Sequence, residues 1–97
     1  MEDYKVELAG FRDIESSSMA IVNKIISGHS MRIADLTKKM EKLHITLKLV
    51  HEREKGEKYD IHVKLLDNGK AYVSHFTDRD LFVAVDTALN KLSNELD

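Results

Sequence analysis

Imidazole and ammonium groups recur at alternate positions in two stretches of this 97-residue chain. His44, Thr46 and Lys48 alternate with apolar residues in LHITLKLVH, and His62 and Lys64 do the same in YDIHVKLL. Lysine ammonium groups bind phosphate without reading a base sequence, and neutral imidazoles ligate transition metals. The two stretches therefore indicate two chemistries, a phosphate-binding surface or a metal site.

The metal site is the weaker of these two hypotheses. The chain has five histidines and no cysteine, and no HxH or HxxxH spacing occurs. His44 and His62 would approach each other only if their strands pair, and a structural metal site usually has more ligands. We therefore expect neither a metal nor another cofactor. The absence of cysteine also fits a reducing cytoplasm.

Catalytic and membrane motifs are missing from the sequence. It contains no GxSxG, P-loop or HExxH pattern, and its four glycines are scattered. We therefore expect a protein that is not an enzyme. No apolar run approaches the roughly 20 residues of a membrane span, and the first residues lack the apolar stretch of a signal peptide. These features predict a cytoplasmic protein without a membrane or small-molecule partner.

Charge is distributed unevenly along the chain. Residues 38–70 carry nine Lys and Arg against six Asp and Glu, whereas residues 71–97 carry two against five. A basic region attracts phosphate even on a slightly anionic molecule, although mixed charge can also simply solvate a surface. With few aromatic side chains for base stacking, a folded RNA read by shape fits better than a single strand. The expected phosphate contacts, gathered on one scaffold, are Lys24, Lys38, Lys39, Lys42, Lys48, Lys64, Arg79 and Lys91.

The first half of the chain predicts a strand and a long helix. The strand covers residues 4–8, ends before Gly10, and alternates apolar and polar residues. Apolar steps of three and four then predict a helix over about residues 16–38, with Ser16 as N-cap and Lys38 and Lys39 at its end. The apolar phase continues across Gly28, which favours one helix, with two shorter helices as the alternative.

The second half predicts three strands and a helix. Residues 43–51, 59–66 and 70–76 show strand alternation, and Asn68-Gly69 is typical of a hairpin turn. Thr77 or Asp78 can cap a last helix that buries an apolar stripe. The order β-α-β-β-β-α predicts an α+β fold, a four-stranded mixed sheet with both helices packed on one face. Residues 1–97 are expected to form a single domain.

The ordered set of segments resembles the ribosome hibernation-promoting factors, also known as ribosome-associated inhibitors. The last helix, DRDLFVAVDTALNKLSNEL, is similar to their signature helix. LHITLKLV, YDIHVKLL, the Asn-Gly hairpin and the first strand closed by Gly10 also match. The signature is carried by Asp80, Leu81, Phe82, Ala84, Val85, Asp86, Lys91 and Leu92.

This resemblance implies a fold similar to double-stranded-RNA-binding domains. It also implies binding to ribosomal RNA in the decoding channel of the small ribosomal subunit, by a short form without the dimerisation domain of longer relatives. The acidic last helix and Gly28-His29-Ser30 in the first helix depart from the family pattern. The acidic residues support an alternative partner, another protein. They are Asp78, Asp80, Asp86, Glu95 and Asp97.

Overall fold

A computed structural model describes residues 5–54 and 56–96 of the chain. The element order and the α+β class confirm the prediction, although Tyr4, the predicted start of the first strand, lies outside the described residues. The elements are β1 (Lys5–Ala9), α1 (Ser16–Leu36), β2 (Met40–Glu52), β3 (Gly56–Asp67), β4 (Lys70–Asp78) and α2 (Leu81–Leu96).

The four strands form one sheet in the order β1-β2-β3-β4. β1 and β2 are parallel because α1 connects them, and the other neighbours are antiparallel. The register puts His44 opposite Lys64 on β3, and His62 opposite His75 on β4. Since successive side chains point to opposite faces, this register decides which residues share a surface.

Both helices cover the same face of the sheet. Alternate residues of β2 and β3 on this face are apolar and buried, and they meet the apolar stripes of α1 and α2. Ser74 is a polar residue on this face of β4, and its hydroxyl donates to the Ala88 carbonyl of α2 at 2.7 Å. The largest side chains with less than 2 % exposure belong to Val22, Ile33, Leu43, Ile45, Ile61, Val63, Leu65, Val85, Leu89, Leu92 and Ser93.

Helix α1 runs without a break through Gly28, as the preferred interpretation predicted. It ends at Leu36, two residues earlier than expected, and Met40 instead begins β2. Ser16 is the first helical residue and not the N-cap, because Glu15 holds that position without a side-chain hydrogen bond. No helix of the described residues is long and apolar enough to cross a membrane.

The turn before β4 agrees with the sequence prediction, whereas the connection after β4 does not. Asn68 and Gly69 have positive φ angles of 50° and 84°, which confirms the predicted hairpin turn. The N-cap residue of α2 was predicted wrongly. The Asp80 carboxylate, rather than Thr77 or Asp78, accepts hydrogen bonds from the N–H groups of Phe82 and Val83, at 2.8 and 3.2 Å.

Candidate nucleic-acid interface

The strand alternation leaves one face of the sheet without helices, and we call this side the open face. Cations and imidazoles on it come from the polar positions that the sequence pattern predicted. Its centre is defined by Glu7 of β1, by Lys42, His44, Thr46 and Lys48 of β2, by Asp60, His62 and Lys64 of β3, and by Val73, His75 and Thr77 of β4.

Three of the eight predicted phosphate contacts lie on the open face, and we call Lys42, Lys48 and Lys64 the sheet set. Lys48 and Lys64 are exposed. The ammonium of Lys42 lies 2.9 Å from the carboxylate of Glu7. Its hydrogen bond holds the pKa of the Glu7 carboxyl below the usual value, against a smaller opposing effect of desolvation. Lys42 is therefore paired with a carboxylate, and the register places Lys48 opposite Asp60, so acidic neighbours reduce the pull of both lysines on a phosphate.

Two predicted contacts, Lys38 and Lys39, form a loop pair between α1 and β2. Their positions correct the expectation that they end the helix. Their backbone N–H groups donate to the carboxylate of Asp67, at 3.4 and 2.7 Å, and the residues themselves are exposed. The buried Asp67 thus fixes the loop and leaves both ammonium groups turned to solvent.

The remaining three contacts, Lys24, Arg79 and Lys91, form a helix-side set. Lys24 lines a groove between α1 and α2, and Arg79 lies in the connection between β4 and α2. The Lys91 ammonium donates to the His75 carbonyl at 3.0 Å and lies 5.9 Å from the centre of the Phe76 ring. The sequence predicted that these eight residues would be gathered together. In the structure they are instead divided between two sides of the molecule and a loop.

Two histidines on the open face form a stacked pair that the sequence interpretation missed. The ring centres of His62 and His75 are 5.4 Å apart, and the ring planes differ by 22°. The signal was present, since counting outward from the Asn68-Gly69 turn pairs residue 62 with residue 75. The site thus includes His75, which was not among the predicted contacts.

Asp60 anchors one end of this pair. A carboxylate oxygen of Asp60 lies 2.9 Å from Nε2 of His62, and the Thr77 hydroxyl donates to the other oxygen at 3.0 Å. Burial alone would raise the pKa of the Asp60 carboxyl. The hydrogen bonds with His62 and Thr77, together with the charge on His62 and His75, outweigh burial and lower that pKa. Asp60 therefore stays ionised beside the imidazoles at neutral pH.

The third histidine of the open face, His44, lies on the strand that pairs with β3, as the metal hypothesis required, but it is diagonal to His62, which pairs with Thr46. It faces Lys64 across the strands, and its Nδ1 is 4.0 Å from the carboxylate of Glu7. Within residues 5–54 and 56–96, no three His, Cys, Asp or Glu side chains are grouped so that they could hold a metal ion. The arrangement suits hydrogen bonding to an anion better than metal ligation.

The three histidines instead surround a shallow concavity of about 270 Å³ at the centre of the open face. Lys64 and Thr46 supply an ammonium and a hydroxyl to its wall, and Val73 is 63 % exposed beside them. Donors from three strands therefore converge on a space open to solvent. An acceptor group with several oxygen atoms could receive hydrogen bonds from several of them at once.

The acidic residues of α2 have local partners on the helix side. Asp80 caps the helix, Asp78 accepts a hydrogen bond from the N–H of Asp80, and Asp86 lies 2.6 Å from Nε2 of His29 on α1. Asp97 lies outside the described residues. Three of the five carboxylates thus serve the fold, whatever else they contact.

Comparisons with known proteins give matches in structure and none in sequence. No protein-family model and no curated protein sequence matches the chain. The N-terminal domain of Protein Y from Thermus thermophilus superposes with a TM-score of 0.59 at 19 % identity, over 99 % of this chain and 96 % of that one. A ribosomal subunit interface protein from Coxiella burnetii gives 0.63 at 14 % identity, over 96 % and 92 %. At these identities, the likeness establishes the fold.

Proposed function

We propose that this protein is a non-enzymatic ribosome hibernation factor. It binds ribosomal RNA of the small subunit, occludes the decoding channel and keeps idle ribosomes inactive in the cytoplasm. The observation that carries the proposal is the structural likeness over nearly the full length of two chains, one of which is named a ribosomal subunit interface protein. The sequence resemblance to hibernation factors supports the same interpretation.

The charge of the open face supports contact with RNA. Five lysines and three carboxylates lie on this face among the described strand residues, which leaves an excess of two positive charges. Ammonium groups that neutralise phosphates release condensed counterions, and this release drives binding that is independent of sequence. The lysines are Lys5, Lys42, Lys48, Lys58 and Lys64, and the carboxylates are Glu7, Glu52 and Asp60.

The division of the predicted contacts between two sides fits a protein enclosed in a channel. The molecule is a slab with extents of 44 × 25 × 17 Å. The sheet set lies on one broad side, and Lys24 lies on the opposite one. RNA on a single flat surface could not reach both sides, whereas the walls of a channel could. Occlusion of the decoding channel is therefore the form of ribosome binding that uses most of the eight residues.

Protein binding through α2 is the alternative function. Its sequence support was the acidic character of that helix, but the contacts of Asp78, Asp80 and Asp86 explain three of the carboxylates without a partner. A pull-down after nuclease treatment separates the two functions. Recovery of a protein partner without enrichment of ribosomal RNA would favour the alternative.

Co-sedimentation with purified small ribosomal subunits tests the proposal. In the charge-reversed variant Lys48→Glu/Lys64→Glu we expect binding to weaken strongly, and the slope of log K against log salt to fall by about 0.7 to 0.9 for each lost contact. The matched control is Arg53→Glu/Lys70→Glu, which reverses two exposed cations outside the predicted set. Wild-type protein that stays in the supernatant at low salt would refute the proposed function.

A further inference from the structure

The five histidines of the chain divide by position into two groups. His44, His62 and His75 share the open face and surround its central concavity. The other two lie elsewhere. His29 is on α1 against Asp86, and His51 is exposed near the hairpin end of β2, 3.6 Å from Glu57. The chain thus has a histidine cluster on the open face, and His29 and His51 can serve as control positions outside it.

Protonation of the cluster would more than double the charge excess of the open face. With neutral imidazoles, five lysines oppose three carboxylates, and three imidazolium groups would raise the excess from two to five. Each carboxylate already has a partner. Glu7 pairs with Lys42 at 2.9 Å, Glu52 with Lys58 at 2.6 Å, and Asp60 with His62 at 2.9 Å. Most of the added charge would therefore remain available to an external anion.

Protonation of the stacked pair, His62 and His75, would place positive charge at the wall of the concavity. Two imidazolium rings with centres 5.4 Å apart repel each other, and the ring of the pair that Asp60 contacts is that of His62. An anion in the adjoining concavity would offset the repulsion, and it would accept hydrogen bonds from the imidazoles and from Lys64. Because both ring nitrogens of an imidazolium donate, protonation also supplies donors that the neutral rings lack.

We propose that the concavity lined by His44, His62, His75 and Lys64 is a proton-linked binding site for a phosphate group of RNA. The choice of RNA as the source of the phosphate rests on the proposed function. The bound state holds more protons than the free state, so the affinity rises as the pH falls through the range in which histidine titrates, about pH 8 to 6.

The other charged groups around the cluster are carboxylates and ammonium groups. From β1 to β4 and α2 they are Lys5, Glu7, Lys42, Lys48, Glu52, Lys58, Asp60, Lys64 and Lys91. Carboxylates and ammonium groups keep their charge between about pH 6 and 8. RNA phosphodiesters also carry no titrating proton there. A change of affinity over this interval therefore reports on imidazoles.

The test measures binding of a fluorescent RNA duplex with 5′-hydroxyl ends by anisotropy at about pH 8 and about pH 6. We expect wild-type protein to bind roughly tenfold more tightly at the lower pH, from three added exposed charge contacts. In His44→Gln/His62→Gln/His75→Gln the gain should fall below about twofold. The control His29→Gln/His51→Gln should keep the full gain. Single substitutions, which disturb the sheet least, should each remove part of the gain.

The outcomes separate this inference from the proposed function. If the wild type shows no gain at low pH, or if the triple variant retains it, the phosphate site is wrong, whatever the ribosome assay shows. If the gain depends on the three histidines but the protein does not co-sediment with small subunits, the phosphate site stands and the ribosomal function is wrong. Circular dichroism of each variant at both pH values checks that the fold is unchanged.

Discussion

The two faces of the sheet come from the same strands but depend on different interactions. On the helix side, alternate residues such as Ile45 and Val63 are buried, and Ser74 has its hydroxyl bonded to α2. On the open face, the neighbouring residue His62 is exposed and bonded to Asp60, Thr46 lines the concavity, and Val73 is 63 % exposed. The helix side thus determines the fold, whereas the open face can change its charge without cost to the core.

The carboxylates show the same difference. On the helix side, Asp80 and Asp67 satisfy backbone N–H groups, and their removal would leave donors without partners. On the open face, Glu7 and Glu52 instead pair with lysine ammonium groups, and Asp60 pairs with the imidazole of His62. Acidic residues on the helix side thus accept hydrogen bonds from the backbone, whereas those on the open face reduce the positive charge of that surface.

The largest effect is expected from truncation of the core face. Ile45→Ala removes a side chain with 0 % exposure and should lower the free energy of unfolding by about 2 to 5 kcal/mol. Thr46→Ala, one residue along β2 on the open face, is the control and should cost less than about 1 kcal/mol. Urea denaturation of both variants measures the difference, and equal losses would contradict the division between the faces.

A polar contact on the helix side should have a smaller effect. Ser74→Ala removes the hydrogen bond to the Ala88 carbonyl and should destabilise the fold by about 1 kcal/mol. Val73→Thr keeps a β-branched residue at the adjacent exposed position and should change stability by less than about 0.5 kcal/mol. Thermal denaturation compares the pair. A larger loss for Val73→Thr would mean that the open face also holds the fold.

Gly28 allows a change in the opposite direction. An added Cβ meets no atom within 4 Å, and alanine is a better helix former than glycine by about 1 kcal/mol. Gly28→Ala should therefore raise the melting temperature by a few degrees, while duplex RNA binding remains that of the wild type. Weaker RNA binding by this variant would place a required contact or movement at α1.

The smallest predicted effect concerns Asp60. Its carboxyl pKa is lower in the folded protein than the usual 3.8, so ionised Asp60 stabilises the fold above that value. This contribution, less than about 1 kcal/mol, is lost as the pH falls through the lowered pKa. Unfolding measured between about pH 5 and 2 should show a weaker acid loss for Asp60→Asn than for the wild type. An identical acid loss would show that the contacts of Asp60 do not stabilise the fold.

The sequence predicted the elements and most of the core because alternation and helical steps follow directly from burial. It missed the end of α1 because Met40 falls four residues after Leu36 and continues the helical step, although it begins β2. It missed the cap of α2 because Thr77, Asp78 and Asp80 are all suitable N-cap types. Thr77 instead extends β4, where it faces Asp60.

Strand alternation predicted which residues share the open face, but neighbours across strands can be predicted only where the register can be inferred. The two-residue Asn68-Gly69 turn fixes the pairing of β3 with β4, so the contact between His62 and His75 could have been found. The pairing of β2 with β3 depends on where the chain turns within the charged segment EREKGEK, which offers several positions. Hence the position of His44 opposite Lys64 could not be derived, and the sequence indicated only that His44 and His62 would approach each other if their strands pair.

Photo-crosslinking from the two sides of the slab tests the central claim most directly. Val73 at the centre of the open face and Met31 on α1 have similar exposures, 63 % and 60 %, and each can be replaced by a photoreactive residue. With small ribosomal subunits, we predict that position 73 crosslinks to ribosomal RNA. Crosslinks from position 31 alone, or crosslinks from position 73 to proteins without RNA, would contradict an open face that binds the phosphates of ribosomal RNA.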